Sequence, residues 1–160
     1  MTVINTSPAI HLHAALPKGL ASLPTLVGDV VVPFEVNREL AAGQSRDSTY
    51  LGIASLNGFH HRNNPLAIHR LLSCQIDVGE AAVIQTALDE SIDTVILDDL
   101  KARRIARSLG LRVTGTIGVL LHAKKVGALP SMKSALEKLN QRGMWIAPTL
   151  AHQAIKLACE

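Results

Sequence analysis

Short runs of apolar, β-branched residues alternate along this chain with longer stretches of helical periodicity. The runs at 2–5, 29–32, 94–97 and 111–114 have the length and composition of buried strands. Helical patterns follow each of them, and such alternation predicts a mainly parallel central sheet with helices on both faces. We therefore expect a three-layer α/β/α fold, and a length of 160 residues fits one domain spanning residues 1–160.

Start and stop signals delimit the predicted helices. Ser7 is the expected cap of the first helix, with Pro8 in its first turn, and Ser131 is the expected cap of a later one. Apolar faces on two helices are expected from Val83, Ile84, Ala87 and Leu88, and from Ala102, Ile105, Ala106 and Leu109. The predicted helices span 9–16, 33–42, 66–72, a segment from Gly79, a segment ending before Gly110, 117–126, 131–141 and 148–159.

The pattern weakens between Gly43 and Cys74. Turns are predicted at 43–48, 57–58 and 63–65, so His60 and His61 are expected in a loop. Residues 144–147 are a candidate edge strand near the other end of the chain.

Composition narrows the possible functions. A formal net charge of +3 permits binding to polyanions, but aromatic residues make up only 2% of the chain. Because binding of single strands usually relies on aromatic stacking, a nucleic acid would be held mainly by its backbone. Cys74 and Cys159 show no metal-ligand spacing, and no uncharged apolar run approaches the about 18 residues of a membrane span, so we expect a cytoplasmic protein with reduced thiols.

Oxygen-bearing side chains are concentrated where the predicted strands end. Asn5 ends the first strand, Asp98 and Asp99 follow another, and Glu80 lies in the first turn of the helix that precedes it. Ligands of parallel sheets bind at the carboxyl ends of the strands, and Mg²⁺ or Mn²⁺ at such a site would assist phosphodiester hydrolysis. Glu39 is the fifth candidate.

The order of these residues resembles the PIN-domain family of metal-dependent ribonucleases, and its VapC-like branch in particular. The resemblance rests on Asn5-Thr6-Ser7-Pro8, on Glu39 within 32–40, on Glu80 within 77–80, on 98–106 and on 115–125. It implies a Mg²⁺- or Mn²⁺-dependent endoribonuclease of the toxin type that cuts RNA. It also implies a homodimer and a small cognate antitoxin that covers the acidic groove, for which residues 43–74 are a candidate contact surface.

One position departs from the family pattern. The family usually has Asp where this chain has Asn5, and an amide oxygen can bind a metal without adding negative charge. We therefore expect weaker metal binding, with Glu80 and Asp98 as principal ligands. In this hypothesis Asn5 orients a water at the metal, and Glu39 or Asp99 completes the ligand set.

Each candidate also has a structural interpretation. Glu80 is suited to complement a helix dipole, Asp99 to cap a helix, and Glu39 to lie on a solvated face. Asn5 and Asp77 are suited to turns. The basic cluster Lys101, Arg103, Arg104 and Arg107 is either an RNA guide beside Asp98 or ordinary surface charge.

Other chemistries are less well supported. His11 and His13 do not share a helix face and no Cys pair accompanies them, so zinc has little support. Gly115 to Gly118 lacks the Lys of a P-loop and predicts a tight strand-to-helix turn. The alternative to a nuclease is a catalytically degenerate PIN-like module that binds RNA or protein; a phosphatase-like hydrolase lacks its Asp-x-Asp motif.

Overall fold

Five short strands form a parallel sheet in the computed structural model, which describes residues 1–43, 53 and 55–160. The strands are β1 (Thr2–Ile4), β2 (Val30–Val32), β3 (Phe59–His61), β4 (Thr94–Ile96) and β5 (Arg112–Thr114). Their order is β3-β2-β1-β4-β5, and every neighbouring pair is parallel. The predicted parallel sheet is thus confirmed.

Strand β1 lies at the centre of the sheet and marks its topological switch point. The chain runs outward from β1 to β2 and β3, then returns to place β4 on the other side of β1. Val3 is aligned with Val31 on one neighbour and with Val95 on the other, and all three residues are completely buried. In such sheets the crevice at the carboxyl ends of the switch-point strands is the usual ligand site.

Helices cover both faces of the sheet, which confirms the three-layer α/β/α architecture. No helix in the described ranges is long and apolar enough to cross a bilayer. The helices are α1 (Thr6–Ala15), α2 (Leu23–Val27), α3 (Phe34–Ala42), α4 (Arg70–Ser73), α5 (Val78–Asp89), α6 (Leu100–Ser108), α7 (Thr116–Lys125), α8 (Met132–Gln141) and α9 (Pro148–Leu157), with a 3₁₀ turn at Gly19–Ser22.

The direction of the helices brings their first turns to one edge of the sheet. Helices α1, α6 and α7 each begin within a few residues of the end of a strand, so they start at the carboxyl edge and run back along the sheet. Helix α5 precedes β4, packs on β1 and β4, and also begins at that edge. Its inner face buries Val83, Ile84 and Ala87 as predicted.

Several sequence-based predictions of local structure were wrong. Helix α1 begins one residue before Ser7, so Asn5 is the N-cap, and its side chain makes no capping hydrogen bond. The helix predicted at 66–72 is limited to Arg70–Ser73, because the His69 side chain caps its start by accepting a hydrogen bond from Leu71 N–H. Residues 144–147 form no strand.

The weakly patterned region holds a strand that was not predicted. His60 and His61 belong to β3, where they pair with Val31 and Val32 instead of lying in a loop. The strand is only three residues long and its alternation is too short to recognise. The turns predicted at Asn57-Gly58 and at 63–65 flank it, and the part of the first predicted turn from Gln44 to Ser48 lies outside the described residues.

Two leucines that were predicted on core-facing stripes are at the surface. Leu88 of α5 is 39% exposed, and Leu109, at the end of α6, is 44% exposed. The inner faces of these helices are completed by alanines, chiefly Ala87, Ala102 and Ala106. Small side chains let the helices lie close to the sheet, so the leucines project beyond the contact.

Candidate active site

The carboxyl edge of β1 and β4 brings Asn5 close to the start of the Asp98 segment. The backbone N–H of Asn5 donates a 3.2 Å hydrogen bond to the carbonyl of Ile96, the last residue of β4. The backbone N–H of Leu97 in turn bonds to Thr114 at the end of β5. These main-chain bonds place Asn5 and the segment that leads to Asp98 side by side at the edge of the sheet.

Asp98 is fixed by hydrogen bonds from two elements. Its Oδ1 accepts from the backbone N–H of Thr116 at 2.8 Å, and its Oδ2 accepts from the Thr116 hydroxyl at 2.6 Å. The Nδ1 atom of His11 lies 3.5 Å from Oδ2. Burial by itself would raise the pKa of Asp98, but the hydrogen bonds from His11 and Thr116 outweigh it and hold that pKa below its usual value.

Gly115 allows Asp98 and Arg103 to approach the start of α7. A Cβ atom at this position would lie 2.9 Å from Asp98 Oδ1 and would overlap the Arg103 guanidinium. Arg103 donates a 3.1 Å hydrogen bond from Nη1 to the carbonyl of Leu97. Burial and the charge of Arg107 lower the pKa of Arg103, while Asp98 opposes them, and a guanidinium stays protonated under all ordinary conditions.

A second group of oxygens forms where α3 meets the first turn of α5. The Glu39 carboxylate accepts a hydrogen bond from the Thr6 hydroxyl at the start of α1. It also lies against Gly79, where an added Cβ would be 2.5 Å from Oε1 and 2.8 Å from Oε2. Because Gly79 has no side chain, the Glu39 carboxylate can lie against it, next to Glu80 in the sequence.

The carboxyl group of Glu80, in the first turn of α5, has a raised pKa. Burial raises its pKa, and the negative charge of Asp99 raises it further. The Asp77 N–H donates a 3.3 Å hydrogen bond to Glu80 that opposes the rise, while the charges of Asp77 and Glu39 add to it. Excess negative charge of this kind stabilises a bound cation.

The side chain of Asn5 is 7% exposed, and its Oδ1 atom has no hydrogen-bond partner. A buried amide oxygen without a partner costs about 1–3 kcal/mol, which makes such atoms rare in native proteins. Asn5 therefore presents an unused acceptor at the switch point of the sheet.

Comparison with protein families decides the identity of the fold. A family model described as "DUF3368: PIN domain" matches residues 1–160, the whole sequence. The chain belongs to the PIN-domain family. No curated protein and no solved structure matches it.

PIN domains are generally nucleases and typically use divalent metal ions. Within the described residues of this PIN domain, no group of three or more His, Cys, Asp or Glu side chains is placed to hold a metal ion. The available donors are nevertheless of the right kind, because Asn5 Oδ1 lacks a partner and the pKa of Glu80 is raised partly by other carboxylates. These oxygens fit a hard cation in chemistry, although they are not gathered into a finished cluster.

Of the remaining predicted site residues of this PIN domain, Asp99 and Lys101 have structural contacts of their own. Asp99 is the N-cap of α6 and accepts hydrogen bonds of 2.8 Å from the backbone N–H groups of Lys101 and Ala102, which confirms the predicted capping role. The Lys101 ammonium donates to the carbonyl of Gln75. Arg104 and Arg107 are exposed.

Sequence reasoning missed His11 and Thr116. His11 was considered only as a zinc ligand, although its ring lies beside Asp98. Thr116 follows β5 just as Asp98 follows β4, so applying the strand-end rule to β5 as well would have identified it. No sequence signal identified the contact of His11 with Asp98, since it depends on how α1 packs.

Proposed function

We propose that this PIN-domain protein is a Mg²⁺- or Mn²⁺-dependent endoribonuclease of the VapC-like toxin type. The observation that carries the proposal is the buried, unpartnered Asn5 oxygen at the same sheet edge as Glu39, Glu80 and Asp98. A buried oxygen without a hydrogen-bond partner is costly unless a cation or an ordered water uses it.

The proposed roles of the acidic residues follow from their contacts. Glu80 and Asp98 are the principal metal-binding groups, and Glu39 completes the set from α3. A bound divalent ion would neutralise charge on the transferring phosphoryl group and lower the pKa of water. Asn5 orients the attacking water through its free oxygen, and Asp99 adds negative charge beside Glu80 while it caps α6.

Thr116 and His11 are proposed as positioning residues. Their hydrogen bonds to Asp98 fix the direction of its carboxylate before substrate arrives. Such preorganisation matters because a small displacement of a catalytic group causes a large loss of rate. Glu39 is positioned in the same way by Thr6.

Arg103, Arg104 and Arg107 of α6 are proposed to contact the RNA backbone, together with Lys101 in the first turn of that helix. Arg103 is the arginine closest to the acidic edge, by which we mean the carboxyl edge of the sheet with Asn5, Glu39, Glu80 and Asp98. Its guanidinium and the Asp98 carboxylate both lie against Gly115. Backbone contacts of this kind release counterions, so affinity should fall steeply with salt. An alanine variant of the three arginines should flatten that salt dependence, and unchanged salt dependence would remove the guide role.

The wider context of the proposal is a toxin-antitoxin pair. The protein would act in the cytoplasm as a homodimer and be held inactive by a cognate antitoxin over the acidic groove. These statements rest on the likeness to VapC-like proteins, and the family match supports only the PIN-domain part of it.

A second candidate function is a degenerate PIN domain that binds RNA or a protein without cutting. Two observations favour it: Asn5 replaces the usual Asp, and both oxygens of Asp98 are already hydrogen-bonded to Thr116. A carboxylate used in this way has fewer lone pairs left for a metal.

Cleavage of a mixed single-stranded RNA pool tests the two candidates. The purified protein is assayed with Mn²⁺, with Mg²⁺ and with EDTA, beside a Glu80→Ala, Asp98→Ala variant. The matched control is Glu137→Ala, Asp93→Ala, which removes two exposed acids away from the carboxyl edge, one on α8 and one at the amino end of β4. Calorimetric Mn²⁺ binding is measured on all three proteins.

The nuclease proposal expects metal-dependent cutting and Mn²⁺ binding that the site variant loses and the control variant keeps. Equal cutting by wild type and site variant would show that the cutting does not come from this site, and Mn²⁺ binding that the site variant also keeps would refute the assignments. Absence of cutting by protein that is free of antitoxin would favour the binding module.

A further inference from the structure

An apolar groove lies between α4, α5 and α6. It encloses about 440 Å³, and three of the residues that line it are leucines with large exposed fractions: Leu71 at 66%, Leu88 at 39% and Leu109 at 44%. Buried Leu72 and half-buried Ile105 also line it. Exposed leucines gathered around one groove mark an interaction surface more often than leucines scattered singly do.

The groove is built by two helices whose apolar stripes continue past the core. Ile105 and Leu109 are four residues apart and therefore neighbours on α6 and its C-cap. Leu88 occupies the corresponding place near the end of α5, and Leu71 approaches from α4. Parallel rows of apolar side chains with a furrow between them are the shape that receives one face of an amphipathic helix.

Basic residues outnumber acidic ones among the described residues next in sequence to the groove lining. The ammonium of Lys101 is held at the carbonyl of Gln75, which lines one end. Arg70 lies between two lining residues of the α4 segment, and Arg104 directly precedes Ile105. Asp89 is the one acid next in sequence to a lining residue within the described ranges, and it accepts a hydrogen bond from Gln85.

We propose that this groove docks an amphipathic helix of a partner protein, with acidic residues flanking its apolar stripe. Glutamates on that helix would face Lys101, Arg70 and Arg104, while its leucines would cover the exposed leucines of the groove. A second copy of the chain fits less well, because a two-fold interface would bring like positive charges together. RNA fits less well too, since no Phe, Tyr or Trp among the described residues lines the groove for base stacking.

The groove is distinct from the acidic edge. Leu88 is eight residues along α5 from Glu80, which places it about 12 Å further along the helix axis at 1.5 Å per residue. A docked helix therefore need not cover the proposed site, and the inference holds whether or not the domain cuts RNA.

Fluorescence anisotropy with defined peptides tests the proposal. The probe is a labelled helical peptide of about four turns, with Leu at i, i+3, i+4 and i+7 and Glu on both flanks. A second peptide replaces every Glu by Lys, and a third scrambles the leucine positions. The protein variants are Leu71→Asp, Leu109→Asp in the groove, and Leu150→Asp, Leu157→Asp as a control.

The control positions match the groove positions in exposure, at 44% and 71%, so both double variants should fold, which circular dichroism checks. We expect the Glu-flanked peptide to bind wild type and the control alike, and the groove variant at least about tenfold more weakly, as loss of a central apolar contact implies. Binding should weaken with salt and be weaker still for the Lys-flanked and scrambled peptides.

Four results would overturn the proposal. They are no binding of the Glu-flanked peptide, equal binding by the groove variant and the control, equal binding of the Lys-flanked or scrambled peptide, and binding of single-stranded RNA that the groove variant loses and the control keeps. Light scattering adds a fifth: a dimer lost in the groove variant alone would assign the groove to a second copy of the chain.

Discussion

Replacing Thr116 by Val removes one hydroxyl from the contact that fixes Asp98. The side chain of Thr116 is completely buried, and the lost bond is the 2.6 Å hydrogen bond to Asp98 Oδ2. The backbone N–H still donates to Oδ1, but Oδ2 keeps only the 3.5 Å approach of His11. The Oδ2 atom of Asp98 then lacks its short hydrogen bond and has only one weak partner.

The expected cost follows from the charge of the acceptor. Hydrogen bonds to charged groups contribute about 1.5–3 kcal/mol, so Thr116→Val should lower the free energy of unfolding by about 2 kcal/mol at neutral pH. For a chain of this size that corresponds to a fall in Tm of roughly 4–8 °C. Urea unfolding followed by circular dichroism measures the first quantity, and a thermal scan measures the second.

The cost must also depend on pH. Because the folded-state pKa of Asp98 lies below its usual value of 3.8, its stabilising contribution is present above that value and is lost as pH falls through the folded pKa. Thr116→Val raises the folded pKa, so the difference between wild type and variant should be largest at neutral pH and shrink below about pH 3.8. A carbon-detected NMR titration of the Asp98 carboxyl reports the change in pKa directly.

Thr86→Val is the matched control, because Thr86 is also completely buried but its hydroxyl has no partner. The same chemical change should there be neutral or stabilising by about 1 kcal/mol, since an unsatisfied polar group is removed. The reasoning is refuted if both variants shift stability in the same direction. A loss in Thr116→Val that is equal at neutral and acid pH would refute it as well.

Three further predictions concern other contacts of the fold. Gly115→Ala should destabilise by about 1–3 kcal/mol in urea unfolding, because its Cβ must displace Asp98 or Arg103; a change below about 0.5 kcal/mol would contradict the close approach. Asp99→Ala removes the cap of α6 and should cost about 0.5–2 kcal/mol in the same assay, whereas Asp99→Asn should recover most of it. Lys124 and backbone N–H groups of α8 lower the pKa of Glu160 to about 2. The Tm of wild type should therefore exceed that of Glu160→Gln above pH 4.5, and the difference should vanish as pH falls towards 2. A difference in Tm that persists at the lowest pH would count against this contact.

The strands that carry the site were predictable because they are continuous β-branched runs in a parallel sheet. Once β1 and β4 were assigned, the convergence of Asn5 and Asp98 followed from the rule that ligands bind at carboxyl ends of strands. The capping role of Asp99 was likewise predictable from its position directly before a helix. Local chemistry and one topological rule were sufficient to predict where these residues lie in the fold.

The unpredicted parts depend on packing between distant segments. The ring of His11 reaches Asp98 because α1 packs against α7, whose first residue holds Asp98, and no local pattern reports that placement. The exposure of Leu88 and Leu109 depends on how closely alanine-rich helix faces approach the sheet. The strand β3 is too short for its alternation to be recognised, and its pairing with β2 decides its structure.

The order of the strands has a consequence for synthesis of the protein. A growing chain that has emerged only as far as β3 contains Asn5 and Glu39 but lacks β4, the partner that holds the other side of β1. Asp98 is not fixed until Thr116, at the start of α7, has also been made. The acidic edge therefore forms only after segments about a hundred residues apart in sequence have been made, so any activity it supports requires a chain folded at least as far as Thr116.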